Sequence, residues 1–460
     1  MLPPLPVTAP VTAPVTAEVR LAYVLRHFRE AYEAVPPVSI GYAPAQPQVV
    51  IRAVDHDFFA TTNPYPTEPN WREWSGQHLP FFFDADPALP LLELLPGGGA
   101  RINADVVSAA FYLLSGWQEF FSDERDQHGR FPYSASVQHR YGFVAVPVVN
   151  YYFDVLKTAV EHAAGQLLPP RRWAGGATWA ACITHDIDNL YSAWKEPAKT
   201  ALRKGRLLSF GRQLWQHFTQ KDAWDNLELV QQTVAEYGAK STFFFLPEHR
   251  KAANGTPNAD YTFASVRPQI RIIQNAQTEV GLHGSIGTAW DGGQLREEFR
   301  QLQAVARAGG LRFHYLSWEP RTTPALLDEL LFAYDSTLGF AEHYGFRNSY
   351  CLPFQPFHFQ HGAAADFLEI PLNVMDATLH HPRYLQLASE EILPALLPMF
   401  REIERFGGVC TVLWHNENFA PANQRNGPRE LRVLLEYLRE RNVAFGTCQD
   451  IWTQTNNLLS

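Results

Sequence analysis

Short apolar runs and amphipathic stretches alternate through the second part of the chain. Apolar runs fall at 179–184, 241–246, 279–283, 311–316, 367–372, 408–414 and 443–447, and helical spacing at 223–237, 293–307, 323–332, 389–405 and 428–441. Strands alternating with helices imply a parallel sheet. Seven or so units within roughly 280 residues is the size of a (β/α) barrel.

The preceding part reads differently. Leu21, Val24, Leu25, Phe28 and Tyr32 recur at helical spacing and predict a helix over 18–35. A strand is predicted over 48–54 and helices over 106–121 and 147–166, with Pro/Gly/Asn-rich loops between them. Residues 18–165 are therefore expected to form a smaller α/β or α+β domain. Residues 166–176, Gln-Leu-Leu-Pro-Pro-Arg-Arg-Trp-Ala-Gly-Gly, have the composition of a linker. That leaves 177–460 for the barrel. Residues 1–17 repeat Val-Thr-Ala-Pro, and such frequent proline predicts a flexible tail.

Composition narrows the functional classes. At 460 residues the chain is too long for one ordinary core, and an apolar share of 46% predicts a globular protein. A net charge of −9 offers no basic footprint for nucleic acid. The 31 Phe, 18 Tyr and 12 Trp suit a deep core first and a sugar-stacking cleft second. Cys182, Cys410 and Cys448 lie in or beside apolar runs and Cys351 has no Cys-x-x-Cys partner, so reduced thiols are expected. The first residues lack a basic stretch followed by an apolar one, and no apolar run approaches the ~20 residues that span a bilayer. A soluble cytoplasmic protein is expected.

The chemistry concentrates at the ends of the apolar runs. The first run ends in Thr184-His185-Asp186-Ile187-Asp188. Residues two apart on a strand point the same way, so the two carboxylates share one face. They repel unless one is protonated or a cation lies beside them. His283 ends the third run, Arg312 and His314 lie in the fourth, and His415 and Asn416 follow 408–414. Barrel active sites gather at the C-terminal ends of strands, which brings these residues to one face. Each also has a plainer reading: a helix-capping Asp, a buried histidine bonded to backbone, an ordinary ion-pair arginine. Asp123, Glu124, Asp126 and Arg130 read as a solvated charged loop. His380 and His381 read as a loop pair, and Glu369 and Asp376 as flanks of an apolar strand with a minor part in positioning substrate.

Taken together, residues 176–455 resemble the polysaccharide deacetylase (NodB-homology) family, whose fold is a distorted (β/α) barrel. Thr184–Asp188 is similar to the family's Thr-Phe-Asp-Asp-Gly motif, with the carboxylates two apart. Ser241-Thr242-Phe243-Phe244-Phe245 resembles its second strand, and Glu279-Val280-Gly281-Leu282-His283-Gly284-Ser285 its second motif. Arg312-Phe313-His314-Tyr315 falls where the third motif's arginine is expected, and Val412-Leu413-Trp414-His415 resembles the last motif. Stretches such as Ser115–Glu119 and Asp126–Phe131 resemble the N-terminal domain that accompanies several such proteins. The resemblance implies Asp186 as general base, Arg312 orienting it, and His415 as the acid that protonates the leaving amine. It implies Asp188 and His283 as ligands of a divalent metal, zinc by type. The family's second motif has a second histidine where this chain has Gly287, and Ser285 and Thr288 nearby are poor zinc ligands. His314 is the expected substitute, with His185 and His380 behind it. The implied activity is hydrolytic deacetylation of an acetylated sugar, polysaccharide or glycoconjugate. The alternatives are a metal-independent amidohydrolase acting on a small cyclic amide and a non-catalytic carbohydrate-binding protein.

Overall fold

The computed structural model describes residues 14–54, 57–420 and 428–457, so residues 1–13 of the expected tail lie outside the described residues. The centre of the molecule is one sheet of nine strands: β1 (Ala180–Ile187), β2 (Ser241–Phe245), β3 (Thr278–Gly284), β4 (Gly310–Phe313), β5 (Tyr334–Asp335), β6 (Leu368–Glu369), β7 (Val374–Met375), β8 (Val409–Leu413) and β9 (Ala444–Gly446). All their pairings are parallel. The neighbour order is β6-β5-β4-β3-β2-β1-β8-β7, with β9 beside the start of β1. Every residue of β1, β2, β3, β4 and β8 is buried. Burial on both faces is why these strands read as unbroken apolar runs.

The sheet curls because of a short tether. β6 and β7 stand at opposite ends of the strand order, yet only residues 370–373 separate them. Five Cα steps reach at most about 18 Å. The Ile370 amide donates to the Asp335 carbonyl at 2.8 Å and the Asn373 amide to the Thr411 carbonyl at 3.2 Å. One kinked segment thus bonds both edges. The result is a mixed α/β molecule around a curled, parallel, half-barrel sheet, whose strand C-termini converge on one rim.

Several local expectations change. The strand expected over 311–316 stops at Phe313, because Tyr315 and Leu316 adopt φ of 58° and 55° and turn the chain. The helix expected over 106–121 breaks at Gly116 (φ 71°) into Val106–Leu114 and Trp117–Phe121. Helices α1 (Lys195–Arg203) and α2 (Leu207–Thr219) and the helix Phe263–Ile273 were not marked by the apolar pattern, nor were the two-residue strands β5 and β7. No described helix is long and apolar enough to cross a membrane. All four cysteines are buried free thiols.

Ahead of the barrel, strands Ile40–Tyr42, Val49–Ile51, Gly99–Ile102 and Leu92–Leu95 form a four-stranded sheet. Helix Val148–Ala164 packs on it, and Val106–Leu114 packs on that helix and on Ala17–Glu30. One apolar cluster runs from these elements into the barrel. The stretch 166–176 is largely exposed but anchored: Trp173 is buried and its Nε1 donates to the Gly407 carbonyl at 2.7 Å. A buried ion pair joins the two parts, with Arg347 Nε and Nη2 donating to the Glu119 carboxylate at 2.8 and 2.6 Å. Arg347→Ala leaves that carboxylate buried and unpaired, which costs about 3–5 kcal/mol. Chemical denaturation should show this loss, and Glu119→Leu/Arg347→Met should recover most of it. A loss under about 1 kcal/mol for Arg347→Ala would contradict the role of the pair.

Candidate active site

The rim collects its charges from five strand ends. Asp186 lies within β1 and Asp188 just past it, His283 near the end of β3, Arg312 in β4 with His314 just past it, Asp376 after β7, and His415 two residues after β8. The two carboxylates of β1 are balanced differently. Asp186 is 3% exposed, and its Oδ1 accepts from Arg312 Nη1 at 3.0 Å. Arg312 is fully buried. Its Nε donates to the Ser336 carbonyl at 2.7 Å, its Nη2 to Ser336 Oγ at 2.9 Å, and its Nη1 also to Thr184 Oγ1 at 2.7 Å. These bonds hold the guanidinium rigidly, so it fixes which Asp186 oxygen stays open: Oδ2 faces His283 Nε2 at 3.7 Å.

Asp188 meets imidazoles instead. Its Oδ1 lies 3.3 Å from His283 Nε2 and 3.4 Å from His314 Nε2, and its Oδ2 lies 3.9 Å from His415 Nε2. Burial pushes this carboxyl up, but His314 and His283 outweigh it and hold it well below the usual carboxylate range. Burial likewise pushes His283 down, and Asp186 and Asp188 raise it overall.

One atom from each of Asp188, His283 and His314 lies within 4.8 Å of the others. The donor set suits a metal such as zinc: two neutral imidazole nitrogens and one carboxylate oxygen. Both rings are prepared for that role. His283 Nδ1 donates to the Arg312 carbonyl at 2.9 Å and His314 Nδ1 to Asn258 Oδ1 at 3.4 Å, which leaves each Nε2 lone pair turned inwards. Buried Asp188 Oδ1 has no hydrogen-bond donor, as expected of an oxygen that waits for a cation.

The expected residues sort clearly. Gly287 has φ +100° and borders a separate hollow of about 380 Å³ with Trp290 and Arg250. Its neighbours are committed elsewhere: Ser285 bonds Glu298 through its amide and hydroxyl, and Thr288 Oγ1 donates to the Ser285 carbonyl at 2.7 Å. His314 reaches the triad from the next strand instead. His185 points away, its Nδ1 donating to the Trp414 carbonyl at 2.7 Å, and His380 sits edge-on to Trp414 at 6.2 Å. Glu369 is buried at the barrel seam, accepting from the Leu338 amide at 2.8 Å. Asp376 has a larger part than its sequence reading. Its Oδ1 accepts from His415 Nδ1 at 2.7 Å, and its Oδ2 accepts from the His415 amide at 2.7 Å and from Asn418 Nδ2 at 2.5 Å. Burial pulls the His415 pKa down, but Asp376 more than compensates, and it rises to about 10.

Two further contributors come from the N-terminal segment. His128 and Arg130 line the same cavity of about 250 Å³ as Asp186, Asp188, His283 and His415. The His128 ring stacks on Tyr315 at 4.5 Å and 9°, and Arg130 Nη1 donates to the Tyr315 carbonyl at 2.9 Å. Tyr315 and Leu316 are the two positive-φ residues directly after His314. Each such residue costs about 1–3 kcal/mol and persists only when its surroundings hold it. Arg130, itself paired with Asp126 at 2.6 Å, is one of those restraints. The loop 122–131 is therefore partly buried against the site, where its sequence read as a solvated face.

Residues 15–164 match a family of unknown function, DUF7033. No curated protein matches the sequence. Among solved structures, one assigned as a polysaccharide deacetylase from Mycobacterium smegmatis is similar over 63% of this chain and 93% of its own, at 18% identity and a TM-score of 0.43. Puue allantoinase is similar over 63% and 94%, at 15% identity and a TM-score of 0.42. A CE4-family pseudoenzyme from Bacillus anthracis is similar over 62% and 68%, at 12% identity and a TM-score of 0.31. At such low identities the chemistry has to be read from this chain's own side chains.

Asp188→Ala, His283→Ala and His314→Ala should each abolish zinc binding to untagged protein while the circular dichroism spectrum stays unchanged. Asn258→Ala should weaken binding by about 10–100-fold. Wild-type zinc content in His314→Ala, measured by mass spectrometry, would remove that residue from the triad.

Proposed function

We propose that this chain is a hydrolase that removes acetyl groups from the nitrogen of an acetylated sugar or glycoconjugate. The observation that carries the reading is that Asp186, held by Arg312, and His415, held by Asp376, line one cavity together with the three-donor cluster of Asp188, His283 and His314. A divalent metal held by Asp188, His283 and His314 would supply Lewis-acid polarisation of the acyl carbonyl and a lowered pKa for the attacking water. Everything else falls to the protein's own groups. Asp186 Oδ2, the oxygen that Arg312 leaves open, accepts the proton of the attacking water. His415 carries a proton at neutral pH because Asp376 stabilises its charged form, and its Nε2 delivers that proton to the leaving nitrogen. Arg312 and Asp376 touch neither proton directly; they set the orientation and charge of the groups that do. Asp188 and His415 also border a second, adjoining hollow of about 340 Å³. Two adjoining hollows suit a substrate larger than a single small amide.

Glycine at position 287 favours a second reading, a metal-independent amidohydrolase of cyclic amides. Metal content separates the two.

Asp186→Asn and His415→Ala should each lower kcat by about 10²–10⁴-fold on acetylated amino-sugar oligomers. Zinc content should stay at the wild-type level in both. Unchanged turnover in His415→Ala would exclude it as the acid. The sign of the Asp376 effect follows from the His415 pKa of about 10. Removing the carboxylate destabilises the imidazolium and lowers that pKa, so the alkaline limb of kcat/KM in Asp376→Asn moves to lower pH. A limb that stays in place would detach Asp376 from the acid.

A further inference from the structure

Helices α1 and α2 pack on each other as a hairpin between β1 and β2. α2 is unusual for a globular protein because none of its residues is buried. Leu207, Leu208, Trp215 and Phe218 are 68, 93, 61 and 80% exposed, and Leu202 of α1 is 54% exposed. These are five of the twelve large apolar residues exposed in the described chain. On α2 they are not scattered. Leu207, Gly211, Leu214 and Phe218 follow helical spacing, with Leu208 and Trp215 one position on, so they form one apolar stripe. Ser209, Arg212, Gln213 and Gln216 occupy the opposite side.

The charge around this stripe is opposite to that of the rest of the molecule. Lys195, Lys199, Arg203, Lys204, Arg206, Arg212 and Lys221 lie within 195–221, against the single carboxylate Glu196. The chain as a whole carries −9. Lys195, Lys199 and Arg203 recur every four residues along α1 and form a basic row. An exposed helix with Leu, Trp and Phe on one face, flanked by Lys and Arg, has the make-up of a segment that lies in the interface of an anionic bilayer.

We propose that the α1–α2 hairpin docks this protein peripherally on an anionic membrane surface, with the apolar stripe of α2 set among the acyl chains and the basic residues on the lipid headgroups. The hairpin also borders a hollow next to the site. A hollow of about 470 Å³ lies between Trp194 and His217 of the hairpin region and Glu417 and Asn418, and Asn418 bonds the Asp376 that holds His415. Gln213, Gln216 and His217 line that hollow from the side of α2 opposite the stripe, so docking leaves it open while holding the protein at the lipid surface. On the hydrolase reading, and only on it, the substrate would be a lipid-anchored acetylated glycoconjugate.

Vesicle flotation of the full chain tests the docking without any assay of hydrolysis. The protein should float with phosphatidylcholine–phosphatidylglycerol vesicles at low salt, not with phosphatidylcholine alone, and rising ionic strength should release it. Leu208→Glu/Trp215→Glu and Arg203→Glu/Arg206→Glu should each weaken association by about tenfold or more with an unchanged melting temperature. The charge-reversal pair decides the matter if the apolar pair fails to fold. Wild-type protein left in the soluble fraction with anionic vesicles would overturn the proposal. So would variants that float like the wild type. Dimerisation in sedimentation velocity that Leu208→Glu/Trp215→Glu abolishes, without lipid binding, would overturn it in favour of a second copy on this face. Loss of deacetylation with vesicle binding intact would count against the hydrolase reading alone.

Discussion

Two carboxylates two residues apart, at the buried end of a strand, set the terms for the rest of this molecule. Asp186 and Asp188 cannot both be charged there without compensation. The fold answers each separately. Asp186 receives a fully buried guanidinium from β4, held in place by Ser336 and Thr184. Asp188 receives two imidazoles from consecutive strand ends, whose outer nitrogens are bonded to Arg312 and Asn258. The first arrangement is closed and permanent. The second is three donor atoms around an open centre. That asymmetry is the basis for giving Asp186 the proton chemistry and Asp188 the cation.

The curled sheet makes this possible. Strand ends far apart in sequence meet on one rim because the 368–375 segment bonds both edges of the sheet. The N-terminal segment then completes the site from outside the barrel. Its Arg130 and His128 support the strained turn at Tyr315 and Leu316, and that turn sets where His314 points. The apolar core shared by the two parts, and the buried pair Arg347–Glu119, hold this support in register.

Legibility in the sequence followed burial. β1, β2, β3 and β8 are covered on both faces, so their runs were plain. β5 and β7 pair over only two residues and left no pattern to read. The same brevity hid the pairing of Asp376 with His415. Val374-Met375-Asp376 is a strand ending in a carboxylate, just as the Asp186–Asp188 run is, but two apolar residues do not announce a strand. Asp186, Asp188, His283, His314, Arg312 and His415 could be named because each lies in, closes or follows a recognisable run. That they converge is a tertiary fact. The departure at Gly287 was visible and His314 could be named as its substitute, while only the fold shows His314 Nε2 within 3.4 Å of Asp188 Oδ1. Arg130 and His128 read as part of a solvated loop because nothing local in 122–131 records that it packs against Tyr315. The hairpin α1–α2 was not marked by the apolar pattern, and the large apolar residues of α2 form an exposed stripe and not a core face.

Diffraction from crystals soaked in zinc, recorded above and below the zinc absorption edge, tests the central claim most directly. The account predicts one strong anomalous peak bounded by Asp188 Oδ1, His283 Nε2 and His314 Nε2, with Asp186 still bonded to Arg312. A saturated crystal with no peak there, or with the ion bound to Asp186 and not to His314, would contradict it.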